Sequence, residues 1–412
     1  MSWIDDKATE GLSLIRGVQK LGLYPHFRPF ETGGLHTSVA GHALVNFSSN
    51  DYLGLTNHPK AKEAAKRAVD RFACGLSSSR VQATTTAHVE LEERLARWYG
   101  YESCLVFTTG YQAMVGTIQA LADRDCALVL DNLSHACILD GSFLAAGVPG
   151  QAPEVRYFNH NSVRSLERCL KTKERKNALV LMEGIYSLDG DRAPLAEFVE
   201  VCERYGAVLL CDDAHGTGTL GRRGTGLVEE TGMLGRVPIV ISTFSKTFGG
   251  IGGVLLGTLD VTDYIKHNAR SFCYSATLPV PVVATAAAIL DILEEDGPAL
   301  VAELHEKSAY MRRNLLQLGF DLGKSDTHIM PVMVRDLRKA LFMHSSLLQQ
   351  GVMMVPITYP GVKLGEERLR LNVTRGHTRE DMDRALDLLD RYGKHYHVQS
   401  GEALSEAAGL AP

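Results

Sequence analysis

Two short stretches of this sequence hold residue types that do chemistry. The first is Asp212-Asp213-Ala214-His215-Gly216-Thr217-Gly218, which closes an apolar run beginning at Ala207. A strand that ends in acids and a histidine, within a glycine-bearing loop, brings titratable groups to a cleft. Ligands of open α/β sheets bind beyond the carboxyl ends of the strands. Taken alone, these residues serve equally well as a helix N-cap beside an ordinary surface histidine. The second stretch, Ser242-Thr243-Phe244-Ser245-Lys246-Thr247-Phe248-Gly249-Gly250, follows the apolar Pro238–Ile241. Hydroxyls and unpaired backbone N–H groups hold a phosphate, and a desolvated lysine with a lowered pKa forms a Schiff base. A lone solvated lysine is the commoner occupant of such a position.

The elements that must position these residues change the balance. Charged helical stretches (59–72, 88–99, 162–171, 195–205) separate short apolar runs at 104–107, 127–131, 178–183, 207–212, 238–242 and 253–257. Apolar runs without alternation suit strands buried on both faces, and their separation by helices predicts an α/β fold with a mainly parallel sheet. Asp212 and Lys246 then stand at the ends of consecutive strands and can converge on one ligand. His135, after another strand end, is placed to stack on a flat ring and shuttle protons. Thr109-Gly110-Tyr111, opening a helix, offers backbone amides to a phosphate. An aldehyde-trapping lysine, a carboxylate for a pyridinium nitrogen, phosphate donors and a stacking ring are the parts that pyridoxal 5'-phosphate needs.

These residues fall within a longer ordered series of motifs: Asn50-Asp51-Tyr52-Leu53-Gly54-Leu55, Ser79-Arg80 with His88-x-x-Leu91-Glu92, and Thr109-Gly110-Tyr111-Gln112-Ala113. Further on come Glu183-Gly184-Ile185-Tyr186-Ser187-Leu188-Asp189-Gly190-Asp191, Thr243-Phe244-Ser245-Lys246, Tyr274-Ser275-Ala276-Thr277-Leu278-Pro279 and Arg368-Leu369-Arg370. Over residues 24–395 the chain resembles the α-oxoamine synthases among the fold-type I pyridoxal-phosphate enzymes. The resemblance implies an aspartate aminotransferase-like fold, with a large mainly parallel-sheet domain and a smaller α+β C-terminal domain. It implies that Lys246 holds the cofactor as a Schiff base and later moves a proton. It also implies that Asp212 pairs with the ring nitrogen, that His135 stacks on the ring, and that His215 and Ser187 contact its edge. Thr109, Gly110, Tyr111, Thr243 and Ser245 would bind the phosphate, with Ser275 reaching in from a second subunit. Arg370 would grip an amino-acid carboxylate, assisted by Asn50; Thr358 and His88 would border the substrate.

The implied reaction is a decarboxylative condensation of a small L-amino acid with an acyl thioester, on CoA or a carrier protein, giving an α-amino ketone, CO2 and a free thiol. No metal is required. The implied assembly is a homodimer with shared active sites. Rival readings are another fold-type I reaction, such as aminotransfer or decarboxylation, and a non-catalytic partner subunit. The intact Thr-x-Ser-Lys at Thr243–Lys246 argues against the last. Two departures bear on substrate identity: Met114, where the family commonly has Asn, and Val355 before Pro356-Ile357-Thr358, where the oxononanoate synthases carry Arg.

Composition is compatible with this and excludes other classes. The 412 residues, 45% hydrophobic and 22% charged, can bury a sizeable core, which rules out wholesale disorder. A net charge of −5, from 43 basic and 48 acidic side chains, gives no reason to expect nucleic acid as a partner. Eight cysteines without metal-ligand spacing read as buried thiols of a cytoplasmic protein. No signal peptide is legible, and no apolar run reaches the ~18 residues of a membrane span. The division expected is an N-terminal arm (1–57), a large cofactor-binding domain (58–290), a small C-terminal domain (291–399) and a flexible tail (400–412). The arm should open with one amphipathic helix over 1–23.

Overall fold

The computed structural model describes residues 2–399; the tail expected at 400–412 lies outside the described residues. The chain forms two compact units. One runs to Ser49 and resumes at Lys307–Ser325 and from Ile329; the other is Asn50–Glu306 with Asp326–His328.

The first unit contains β1 (His36–Val39) and β2 (His42–Asn46), an antiparallel pair. The second unit is built on β3 (Ser103–Phe107), β4 (Cys126–Asp131), β5 (Glu154–Phe158), β6 (Asn177–Glu183), β7 (Val208–Asp212), β8 (Ile239–Thr243) and β9 (Gly253–Gly257). Back in the first unit follow β10 (Ile329–Met333), β11 (Val352–Met353), β12 (Val355–Ile357) and β13 (Arg368–Asn372). They form two small sheets, β1-β2-β11 and β10-β13-β12, the latter antiparallel throughout.

The seven strands of the second unit lie in the order β3-β9-β8-β7-β6-β4-β5. β4 through β8 are parallel neighbours, and β9 runs antiparallel between β3 and β8. Every residue of β4, β8 and β9 is buried, which is why these strands read as unbroken apolar runs rather than alternating ones. Leu128, Leu130, Leu181, Leu210, Ile241 and Leu255 form the centre of the core on one face of the sheet. Because β3, β4, β6, β7 and β8 point the same way, their carboxyl ends share one edge, where the segments bearing Thr109, Asp131, Glu183, Asp212 and Thr243 emerge.

Several local expectations needed correction. The N-terminal helix is two helices, Trp3–Gly11 and Ser13–Lys20. The break follows a glycine, and the Ser13 hydroxyl donates to the Glu10 carbonyl at 2.9 Å, a local bond that competes with helix continuation. The polar edge strand β5 carries no apolar run and was illegible, as was β1. Apolar spacing interrupted at Gly297-Pro298 predicts separate helices over 281–295 and 300–318, whereas the chain forms one 38-residue helix, Val280–Gln317, with Pro298 inside it. The boundary expected at residue 291 falls within this helix. A Cβ at Gly297 would meet the Arg223 carbonyl at 2.8 Å, so the Gly-Pro pair permits close backbone approach here instead of ending the helix. The apolar run 351–355 predicts one strand but divides between β11, parallel to β2, and β12, antiparallel to β13.

Candidate active site

A cavity of about 310 Å³ opens at the shared strand edge, within the ~300–1,000 Å³ range of small-molecule sites. Thr109, Gly110, Tyr111, His135, Asp212, His215, Thr243, Ser245 and Lys246 line it, so nine of the residues singled out from the sequence meet in one place.

One wall is a phosphate-type cradle. Thr109 caps the helix Gly110–Leu121, its hydroxyl accepting the Gln112 N–H at 3.0 Å. The N–H groups of Gly110 and Tyr111 have no acceptor within the helix, as at any helix start, and the helix dipole favours an anion there. A Cβ at residue 110 would meet Thr243 Cβ at 2.9 Å, so only glycine lets this helix start lie against the end of β8. The Thr243 hydroxyl lies 2.8 Å from that of Ser245 and donates to the Gly252 carbonyl at 2.8 Å. Tyr111 is turned aside: its hydroxyl donates to the Asp140 carboxylate, which pushes the phenol pKa up to about 12.

The floor carries charge. Asp212 ends β7, buried, and accepts the Ala214 N–H at 3.1 Å. Burial raises its pKa, and the nearby Lys246 and His135 pull it back. Glu183 ends β6 directly beside it in register and accepts the His135 N–H at 2.6 Å. Burial first, then the Asp212 charge, pushes Glu183 well above the usual carboxylate range. Burial thus works against charge on both carboxyls, while Lys246 and His135 favour it at Asp212. Asp213, the next residue, points the other way, as alternation along a strand requires. It is fully buried, accepts the Leu227 N–H at 2.7 Å, and is pushed up to about 7 mainly by burial. Only one of the two consecutive acids belongs to the cavity.

The histidines are oriented by neighbours. His135 caps the helix Ala136–Ala146 with Nδ1, which accepts the Cys137 N–H at 3.2 Å, so its proton resides on Nε2. Cys137 Sγ lies 3.0 Å from the same Nδ1 and 4.0 Å from Asp212 Oδ2. His215 Nδ1 lies 2.6 Å from the Tyr52 hydroxyl, which donates to Asn50 Oδ1 at 3.1 Å. With the phenol donating to Asn50, the His215 Nδ1–H donates to the phenol oxygen. Tyr52, Glu183 and Cys137 were given no site role from the sequence. Glu183 had a usable signal, because it ends a buried apolar strand as Asp212 does.

The remaining candidates lie elsewhere. Ser187 sits in the turn after β6, half-buried. Ser275 accepts the Gln112 side-chain N–H at 2.9 Å and lines a separate groove of about 1,250 Å³ with Arg80, Glu92 and Lys266. His88 is fully buried; its Nε2 lies 2.9 Å from the Leu278 carbonyl and its Nδ1 2.8 Å from the Thr85 hydroxyl. Arg370 is on β13 in the other unit, half-buried, opposite Pro331 on one side and Val355 on the other. Thr358 follows β12 in the same unit.

The cavity's donors fit pyridoxal phosphate. The cradle supplies neutral donors for a phosphate, and Asp212 is a buried carboxylate that a ring N–H would match. Comparisons agree. The class I and II aminotransferase family matches residues 42–389. An 8-amino-7-oxononanoate synthase of Thermoanaerobacter pseudethanolicus is 36% identical over 385 residues, 92% of this chain and 96% of that one. A serine palmitoyltransferase of Sphingobacterium spiritivorum is 33% identical over 400 residues, 96% of this chain and 98% of that one. A solved serine palmitoyltransferase with pyridoxal phosphate as internal aldimine superposes with a TM-score of 0.88 at 31% identity, covering 95% of this chain and 99% of that chain.

Proposed function

The chain belongs to the class I and II aminotransferase family and, within it, to the α-oxoamine synthases, pyridoxal-phosphate-dependent acyltransferases; from that premise we propose that it joins a small L-amino acid to an acyl thioester, releasing CO2 and the free thiol as an α-amino ketone forms. The observation that carries this reading is the convergence of Lys246, Asp212 and His135 with the helix-start cradle in one cavity.

Pyridoxal phosphate, when bound, supplies an electron sink for the carbanion left by loss of the amino acid's Cα proton or carboxylate. The protein's residues do the rest. Gly110 and Tyr111 N–H would hold the phosphate with the Ser245 hydroxyl and, once it turns from the Gly252 carbonyl, that of Thr243; Asp212 would accept a hydrogen bond from the ring nitrogen and hold its proton in place. Lys246 is the attachment point, and its Nζ moves the Cα proton once the amino acid has displaced it. His135 presents Nε2–H to the cavity, while His215 is oriented through Tyr52 and Asn50. Ser187 completes the ring contacts. Arg370, with its planar fork, suits the amino-acid carboxylate, assisted by Asn50. Thr358 and His88 are the weaker substrate candidates, and the interior packing of His88 favours a supporting role.

We further propose a cytoplasmic homodimer in which Ser275 serves the partner's cavity. The position of Ser275 in a groove apart from its own chain's cavity supports this. No helix among the described residues is long and apolar enough to cross a membrane. The reaction is tested by incubating the cofactor-loaded protein with amino acid alone and with added acyl-CoA or acyl carrier protein. Joint release of CO2 and thiol, dependent on both substrates, is expected. CO2 without thiol, or a 2-oxo acid, would replace the proposal by decarboxylation or aminotransfer.

A further inference from the structure

Behind the cavity stands a charged cluster that the reaction does not use. Asp131, at the end of β4 and fully buried, accepts the Leu133 N–H at 2.9 Å on Oδ1 and the Asn161 N–H at 2.9 Å on Oδ2. His160 lies between two carboxylates, its Nδ1 3.1 Å from Asp131 and its Nε2 2.9 Å from Asp191. Asn161 holds the same corner, donating from Nδ2 to Asp191 at 2.9 Å and to the Arg192 carbonyl at 3.2 Å. The edge of Tyr186 packs on the imidazole at 4.4 Å between centroids.

The two carboxylates belong to the two segments that present site residues. Asp131 begins the loop that ends at His135, and that loop is tied again by the His160 N–H to Asn132 Oδ1 at 3.0 Å. Asp191 closes the turn that carries Ser187, its carbonyl accepting the Tyr186 N–H at 3.1 Å. A neutral imidazole has one N–H and can donate to only one carboxylate; an imidazolium donates to both. We propose that His160 is a positioning residue, an imidazolium whose two N–H groups clamp the His135 loop to the Ser187 turn and so hold the cofactor cavity in its binding geometry. The proposal rests on the reading of His135 and Ser187 as cofactor residues.

Electrostatics favour the charged form. Hydrogen bonds and charge from Asp131 and Asp191 outweigh burial and raise the imidazole to about 10. Around it, Tyr186 presents a phenol kept neutral by burial, and Glu183 lies beyond Asp131 on the neighbouring strand. The unfolded imidazole titrates near 6.5, so the clamp's contribution to stability is full below that pH. It declines as pH rises and is gone above about 10.

The test uses ¹⁵N-histidine-labelled protein without cofactor, then pyridoxal phosphate binding to wild type and His160→Gln. One imidazole protonated on both nitrogens at pH 8.5, missing from the variant, is expected. The variant should bind pyridoxal phosphate about tenfold more weakly at pH 8, yet still unfold cooperatively. Wild-type affinity should fall between pH 9 and 10.5, while that of the variant stays flat. If His160→Gln does not fold, Asp191→Asn keeps one carboxylate; the His160 titration should then drop by at least one pH unit and affinity several-fold. A His160 neutral at pH 8.5, or either variant binding like wild type, overturns the proposal and leaves the Lys246 site standing. Wild type failing to bind pyridoxal phosphate at all would overturn the reading of the site, and with it this proposal.

Discussion

Two regions of the large unit bury charge, and they do it differently. Around Arg80 every charge has its match. The guanidinium donates to both Glu92 oxygens at 2.9 and 3.0 Å and to the Val106 carbonyl at 3.3 Å, while Glu92 also accepts the Val106 N–H at 2.8 Å. In the cavity, Asp212 and Glu183 lie side by side, and burial raises the pKa of both. The first arrangement is what a structural ion pair needs to recover its desolvation cost. The second is a local surplus of acid that a cationic ring N–H would relieve. Incompletely matched charge in a concave site marks function; matched charge beneath a surface marks construction.

That contrast can be broken or sharpened in four ways. The largest effect is expected at Lys246: Lys246→Ala should lower turnover at least ~10³-fold while the protein still unfolds cooperatively, as steady-state kinetics and calorimetry would show. Replacing Asp212 by Asn removes the anion without changing shape and should reduce kcat by ~10²–10³-fold, the usual cost of one pre-organised electrostatic group. Glu92→Gln should do the reverse, costing ~3–5 kcal/mol in urea unfolding because Arg80 is left buried and unpaired. The molecules that remain folded should turn over near the wild-type rate.

The smallest effect is at His88, which burial, then the Arg80 charge, lower to about 4. The unfolded imidazole takes up its proton near 6.5 and the folded one only near 4, so stability falls as pH drops through that window. Melting curves from pH 7 to 4 should show this loss in wild type, and His88→Gln should lack that component.

Much of this was legible beforehand, for physical reasons. A buried parallel strand writes an unbroken apolar run, and in such a fold its carboxyl end is where polar residues reach a ligand. Asp212, Lys246 and His135 were therefore readable as a set. Edge strand β5 was not, because half-exposed strands need no apolar run. Pro298 misled because one lost hydrogen bond does not end a helix whose neighbour requires a glycine there. Glu183 and Tyr52 act through contacts with residues far away in sequence, which spacing alone does not reveal. Asp213 looked like a partner of Asp212 only until the strand's alternation sent it to the opposite face.

The central claim is that the strand-end cavity holds pyridoxal phosphate on Lys246. Loading the protein with the cofactor, reducing it with borohydride and mapping the modified peptide tests that directly. The account predicts a pyridoxyl group on Lys246 alone, in the peptide containing Thr243 and Ser245. A label on another lysine, or none, would contradict it.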